Sequence, residues 1–313
     1  MSYNYETVTF PSSDGIHTIH ADIFTPKSRT AKGVVQLAHG MVDHPGRYLN
    51  LISFLTDSGY ILAGHHHLGH GRSVLCEDEF GFFADKNGIQ YILDDMNTMN
   101  RYLRDAYPAL PLIVFGHSMG SFIARLYVLQ HPHSMRGVVI HGTGGPNRLA
   151  PLGKLVGRMV SFFSGKRSRS MLITALAFGS YNRGFDKSEG RNAWLSRDKD
   201  EPAVKDKKND PLASFMFTTS GYIDLFDMLI RSNSREWFEG YPKDMRTLIV
   251  SGDMDPVGGY GRGVKYVYKQ LMMQGCSDVM LQLYEGARHE LFNETNKEEF
   301  FADLLEWLNG VAL

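Results

Sequence analysis

The sequence predicts an α/β fold: a mostly parallel, doubly wound sheet with an antiparallel N-terminal edge and an inserted helical cap. Three observations carry that prediction. Short apolar runs such as Leu112-Ile113-Val114-Phe115 and Gly137-Val138-Val139-Ile140 read as strands buried on both faces. Between residues 33 and 141 such runs alternate with amphipathic helical patterns, which implies parallel strands with helices on both faces. From Pro146 to about Gly240 the alternation stops, and it resumes at Arg246. The expected organisation is a core from 1–145 and 241–313, with a cap from 146–240.

Taken in order, Tyr5–Phe10 and Thr18–Phe24 alternate apolar and polar residues on either side of Pro11-Ser12-Ser13-Asp14-Gly15, a hairpin pattern at a sheet edge. Gly33–Ala38 is the next strand, followed by a helix from about Tyr48 to Asp57 and a strand at Tyr60–Gly64. Gly88–Ala106 places Ile89, Ile92, Leu93, Met96, Met99 and Leu103 on one helical face. Beyond Pro108 and Pro111 come the strand at Leu112, a helix over Ser121–Gln130 and the strand Gly137–His141. The inserted segment offers helices at Leu152–Phe163, Ser170–Phe178 and Ser220–Ser232, with Lys199–Asp210 as a solvated charged stretch. Its apolar residues, Leu155, Met159, Phe162, Phe163, Phe215, Met216, Phe217, Leu225, Phe226 and Leu229, are too many for a linker. Most are expected to hold the cap down and a few to line an apolar pocket. Strands at Arg246–Gly252 and Val279–Tyr284 flank a helix at Val264–Met273, and Phe300–Leu308 closes the chain as a helix.

Composition narrows the function classes. The chain has 313 residues, 43% hydrophobic, enough for a large core. A net charge of −1 lacks the basic excess that nucleic-acid binding wants. Cys76 and Cys276 make no disulfide framework and fit a reducing compartment. Met1-Ser2-Tyr3-Asn4-Tyr5-Glu6 has neither the basic start nor the apolar stretch of a signal peptide, and no apolar run reaches about 18 residues. A soluble cytoplasmic protein is expected.

The chemistry gathers at Gly116-His117-Ser118-Met119-Gly120, a G-x-S-x-G placed between a buried strand and a helix. That context is what a nucleophile elbow requires, and a chain of this length gives only roughly 0.1 chance matches at average usage. A serine hydroxyl needs a histidine to take its proton and a carboxylate to orient that histidine. In a doubly wound sheet such residues sit beyond the carboxyl ends of the strands. The last two strands end in an aspartate pair, Asp253 and Asp255, and in His289, so the chain order is serine, aspartate, histidine. His39-Gly40-Met41 follows another strand end, where this architecture places an oxyanion-hole donor. The donors would be the backbone N–H groups of Met41 and Met119. Four histidines in His65-His66-His67-Leu68-Gly69-His70 invite a metal reading, but no Cys or carboxylate lies among them, and a hydrogen-bonded loop is expected.

The sequence resembles the monoacylglycerol lipase and lysophospholipase-like branch of the α/β-hydrolases, serine aminopeptidase-type enzymes, over nearly its whole length. The resemblance rests on His39-Gly40-Met41-Val42-Asp43-His44-Pro45-Gly46-Arg47-Tyr48, Leu68-Gly69-His70-Gly71-Arg72-Ser73, Gly116-His117-Ser118-Met119-Gly120, Gly252-Asp253-Met254-Asp255-Pro256-Val257 and Gly286-Ala287-Arg288-His289. It implies a triad of Ser118, Asp255 and His289, an apolar acyl pocket under a mobile cap, no cofactor, and hydrolysis of single-chain acyl esters. It also implies a small-molecule ester as partner. Transient lipid contact through the cap is read from Lys154, Arg158, Lys166, Arg167 and Arg169, against the simpler reading of a solvated cap face. His66 stands where relatives carry Asp, at a position expected to brace the loop. An aminopeptidase or small-ester carboxylesterase on the same fold fits the same residues. A non-catalytic binding protein would be expected to have lost a triad member.

Overall fold

The computed structural model describes residues 3–190 and 192–312. Eight strands form one sheet: β1 (Tyr3–Pro11), β2 (Thr18–Pro26), β3 (Gly33–Ala38), β4 (Tyr60–His65), β5 (Leu112–His117), β6 (Gly137–His141), β7 (Arg246–Gly252) and β8 (Val279–Tyr284). Their spatial order is β1-β2-β4-β3-β5-β6-β7-β8. The β1–β2 and β2–β4 pairs are antiparallel, and every pair from β4 to β8 is parallel. The fold class read from the pattern of apolar runs is therefore the one observed.

The helices are α1 (Leu49–Asp57), α2 (Gly88–Ala106), α3 (Met119–Gln130), α4 (Ala150–Ser164), α5 (Met171–Phe178), α6 (Pro202–Lys205), α7 (Thr219–Ser232), α8 (Arg235–Gly240), α9 (Arg262–Met273) and α10 (Lys297–Ala312). β3 to β6 are buried at every position, as strands covered on both faces must be. One apolar layer joins α2, α3 and α9 to the sheet, with Met96, Met99, Ile123, Val128 and Val267 fully buried. The other joins α1 and α10 to the opposite face through Leu51, Ile52, Leu55, Phe300 and Leu304. Between β6 and β7 the chain leaves the sheet and forms α4 to α8. No helix among the described residues is long and apolar enough to cross a membrane.

The inserted segment departs from expectation in one respect. Phe217 is fully buried, and Leu225, Phe226 and Leu229 face a cavity, but Leu155, Met159, Phe162 and Phe163 on α4 are exposed, the two phenylalanines by 84% and 82%. They hold nothing down. Part of what fastens the segment to the core is ionic and polar instead: Arg167 reaches Glu79 at 3.4 Å and lies over the Phe82 ring, and Arg169 donates to the Phe80 carbonyl, while Lys154 pairs with Asp227 at 2.5 Å within the segment itself.

Candidate active site

β5 and α3 meet in a turn that only small neighbours permit. A β-carbon on Gly116 would lie 2.4 Å from the Gly120 carbonyl oxygen, and one on Gly120 would lie 1.9 Å from that of Ala38. Between them Ser118 takes φ 55° and ψ −119°, a region that costs a non-glycine residue on the order of 1–3 kcal/mol. Its backbone N–H is anchored on the His141 carbonyl of β6 at 3.0 Å. The side chain is partly exposed and heads α3, whose first N–H groups have no partner within the helix.

Beyond β7, Asp255 is completely buried. Its Oδ1 accepts the Val257 N–H at 2.8 Å, and its Oδ2 accepts from Ser251 Oγ at 3.2 Å and from His289 Nδ1 at 2.9 Å. A carboxylate only accepts, so His289 carries its proton on Nδ1 and presents a lone pair at Nε2. Nε2 is buried and has no hydrogen-bond partner among the described residues. Gly142, at φ 60° beyond β6, leaves room for the imidazole; a β-carbon there would lie 3.0 Å from His289 Cε1. Asp253, the other member of the pair, accepts the Gly286 N–H at 2.8 Å and braces the turn after β8. Two rings flank His289: His117 and Trp194, each with its centroid 4.9 Å away. The Trp194 carbonyl also accepts the His289 N–H at 3.3 Å, and Leu195 accepts that of Glu290 at 2.7 Å. Trp194 was not a sequence candidate, because it lies in a segment with no periodicity.

The loop after β3 is fixed from beneath. Tyr48 Oη accepts the Gly40 N–H at 3.0 Å and lies 3.1 Å from Asp43 Oδ2 and 2.9 Å from His117 Nδ1. Burial pushes the Asp43 carboxyl up, but Arg47, 2.8 Å away, heads the groups that bring it below its ordinary value. As a carboxylate, Asp43 accepts the hydrogen bond of the Tyr48 O–H, so His117 donates from Nδ1 to Tyr48 Oη. Burial holds His117 well below the usual imidazole range, and it is neutral. His39 accepts the His67 N–H at Nε2 and donates from Nδ1 to the Gly40 carbonyl at 2.8 Å. These contacts set Gly40 beside the serine: a β-carbon on it would be 3.3 Å from Ser118 Cβ. Met41 follows, then Val42 at φ 52°, rare for a β-branched residue.

The histidine-rich loop is a hydrogen-bonded brace. His65 and His67 contact each other at 3.1 Å, and His66 accepts the Arg72 N–H at Nδ1 while Nε2 lies 3.1 Å from Asp22 Oδ2. Arg72 closes the triangle by donating to Asp22. Among the described residues, no group of three or more His, Cys, Asp or Glu could hold a metal.

Two cavities meet at the loop. One, of about 170 Å³, is lined by Met41, Ser118, Met119, Phe122, Phe178, Leu225, Phe226, Leu229 and Val257. The other, of about 860 Å³, is an open groove lined by Val42, Phe178, Trp194 and residues of 199–215.

A sheet of this order, helices on both faces, and a strained serine between β5 and α3 define an α/β-hydrolase. Residues 29–296 match the family described as serine aminopeptidase, S33, and the chain belongs to that family. It is 25% identical over 305 residues to a monoacylglycerol lipase of Mycolicibacterium smegmatis, covering 96% of this chain and 95% of that one. Against a human monoglyceride lipase the identity is 24%, covering 91% and 86% of the two chains. The structure of a thermostable carboxyl esterase from Bacillus coagulans superposes with a TM-score of 0.90 at 29% identity, covering 99% of each chain.

Proposed function

We propose that this protein hydrolyses carboxylic esters of single acyl chains, monoacylglycerol or lysophospholipid-like, through an acyl-enzyme on Ser118. The observation that carries the reading is His289, pinned to the buried Asp255 through Nδ1 with Nε2 buried and unpartnered beside the serine turn. His289 takes the Ser118 proton as the hydroxyl attacks the ester carbonyl. The N–H groups of Met41 and Met119 hold the oxyanion, at about 3 kcal/mol per donor. His289 then protonates the leaving alcohol and later activates the water that releases the acid. Residues 146–240 act as the cap, and the 170 Å³ cavity beneath it takes the acyl chain. No cofactor enters this chemistry.

The relatives named above as lipases and esterases support the ester reading. An aminopeptidase would need a cap carboxylate free to bind an amine. Glu189 is paired with Arg288 at 2.7 Å, Glu201 with Lys297 at 3.2 Å and Glu239 with Arg235 at 2.6 Å, while Glu236 is solvent-exposed. Fluorophosphonate labelling separates an enzyme from a binding protein. p-Nitrophenyl esters assayed beside aminoacyl amides then decide the class: turnover of amides above esters would overturn the proposal. The exposed α4 face, Leu152, Leu155, Met159, Phe162 and Phe163, supports transient contact with a lipid surface where such esters reside.

A further inference from the structure

The stretch 198–210 holds nearly balanced charge, Asp198, Asp200, Glu201, Asp206 and Asp210 against Lys199, Lys205, Lys207 and Lys208. The fold sorts these charges. All four lysines line the 860 Å³ groove, and none of the five acids does. Most of the acids are engaged elsewhere: Asp198 accepts the Asp200 and Glu201 N–H groups, Glu201 pairs with Lys297, and Asp210 pairs with His44 at 2.8 Å. Asp200 is 95% exposed and 3.7 Å from Lys205. The single acid in the groove wall, Glu189, is neutralised by Arg288.

Lys207 is the half-buried member. Burial, then the neighbouring Arg47, draws its pKa below the ordinary lysine value. Its nearby carboxylates are already committed: Asp43 to Arg47 and Tyr48, Glu290 to Asn293, and Asp210 to His44. A partly desolvated ammonium in that position gains from an incoming anion.

The loop after β3 separates the two cavities. Met41 faces the small one with Ser118, and Val42 faces the groove. With an ester carbonyl held at the proposed Met41 donor and its acyl chain in the small cavity, the alcohol would leave on the Val42 side, into the groove that Lys207 also lines. We infer that the groove is an anion subsite for the alcohol half of the substrate, and that the preferred esters carry a phosphate on that alcohol. The inference rests on the acyl-ester reading above and adds the charge of the leaving alcohol.

The test is binding to a Ser118→Ala chain, read by tryptophan fluorescence because Trp194 lines the groove. The probes are 1-octanoyl-glycerol-3-phosphate, neutral 1-octanoyl-glycerol, and inorganic phosphate. At about 50 mM salt the phosphate ester should bind about tenfold more tightly than the neutral ester, and the gap should shrink as salt rises. Lys207→Gln in the same background should close the gap to under threefold. If that variant fails to fold, Lys199→Gln/Lys208→Gln, on exposed side chains, should narrow it. Equal affinities for the two esters, a gap that survives both variants, or an equal loss for both ligands would overturn the subsite. Displacement of the ester by equimolar inorganic phosphate would mean a free-anion site and also overturn it. Absence of fluorophosphonate labelling in the unsubstituted chain is a separate failure, that of the hydrolase reading.

Discussion

Tyr48 Oη lies 2.9 Å from His117 Nδ1 and accepts the Gly40 N–H at 3.0 Å, so one phenol ties the loop after β3 to the last residue of β5. Tyr48→Phe leaves the buried Gly40 N–H and His117 N–H without their acceptor, at about 1–3 kcal/mol of stability. It also loosens the proposed Met41 donor. The expected outcome is a kcat lower by about 10–100-fold with KM little changed, since a misplaced donor acts on the transition state. An unchanged kcat in a folded variant would refute the link between this network and the oxyanion.

Ser118→Ala should remove both turnover and fluorophosphonate labelling while leaving the melting temperature equal or higher, because alanine loses no hydrogen bond that holds the turn. Labelling of the alanine variant would show another nucleophile.

The two aspartates after β7 should separate cleanly. Asp255→Asn forces His289 toward the wrong tautomer and is expected to cost about 10⁴-fold in kcat. Asp253→Asn keeps an oxygen that can accept the Gly286 N–H and should retain most activity. Steady-state kinetics of the two variants decide the assignment, and the opposite ranking would sink it.

Acyl length should matter up to the capacity of the small cavity. Each buried methylene adds about 0.8 kcal/mol. A cavity of about 170 Å³ is small for a ligand site, so kcat/KM should climb from acetyl esters and level off before decanoyl. A steady fall with length would mean that Phe122, Phe178 and Phe226 fill the space themselves.

Acid should unfold the protein early. Burial depresses the pKa of His39, His67, His117 and His141 well below the ordinary value, and takes His65 to about 3 and His70 to about 4. Below about pH 6.5 the unfolded chain binds protons at these six positions that the folded chain refuses, so stability falls with pH by about 1.4 kcal/mol per unit for each. His17 works the other way. Burial lowers its pKa, but Asp14 and Glu79 together raise it, so its contribution is present below about pH 6.5 and fades as pH rises through the raised value. Burial also holds the Asp95 carboxyl above its ordinary value and takes Asp224 to about 7, so both favour the fold as pH falls. Six groups outweigh these three, and melting temperatures should drop between pH 7 and 5. A flat profile over that range would contradict the neutral assignment.

The sheet was readable because Leu112–Phe115 and Gly137–Ile140 are unbroken apolar runs that suit no other environment. The placing of Ser118, the Asp253/Asp255 pair and His289 beyond strand ends was legible from chain order, whereas the choice of Asp255 came from the family resemblance, and its contact with His289 is visible only in the fold. Trp194, packed on His289, and Lys207, in the proposed anion groove, were not: each reaches its place through contacts far away in sequence, within a stretch of turns that carries no period. Lys199–Asp210 is largely exposed, as a solvated stretch should be; the gathering of its lysines on the groove wall leaves no mark on composition. Phe162 and Phe163 misled in the opposite direction. Their spacing on α4 matches a packed helix face, and the pattern alone does not say whether a partner is there.

The positions of Gly40, Ser118, Asp255 and His289 along the chain carry a consequence for biosynthesis. The serine turn requires only β3, β5, β6 and α3, all complete by residue 141, whereas His289, the proposed base, follows β8. A polypeptide released before residue 289 would carry the serine in a partial sheet whose β6 edge is uncovered, with no imidazole to draw off its proton. Under the proposed mechanism such a fragment would be chemically silent, and its open edge would be prone to edge-to-edge association. Reactivity toward a phosphonate probe, followed on ribosome-bound chains of increasing length, would then appear as a late step rather than a gradual rise.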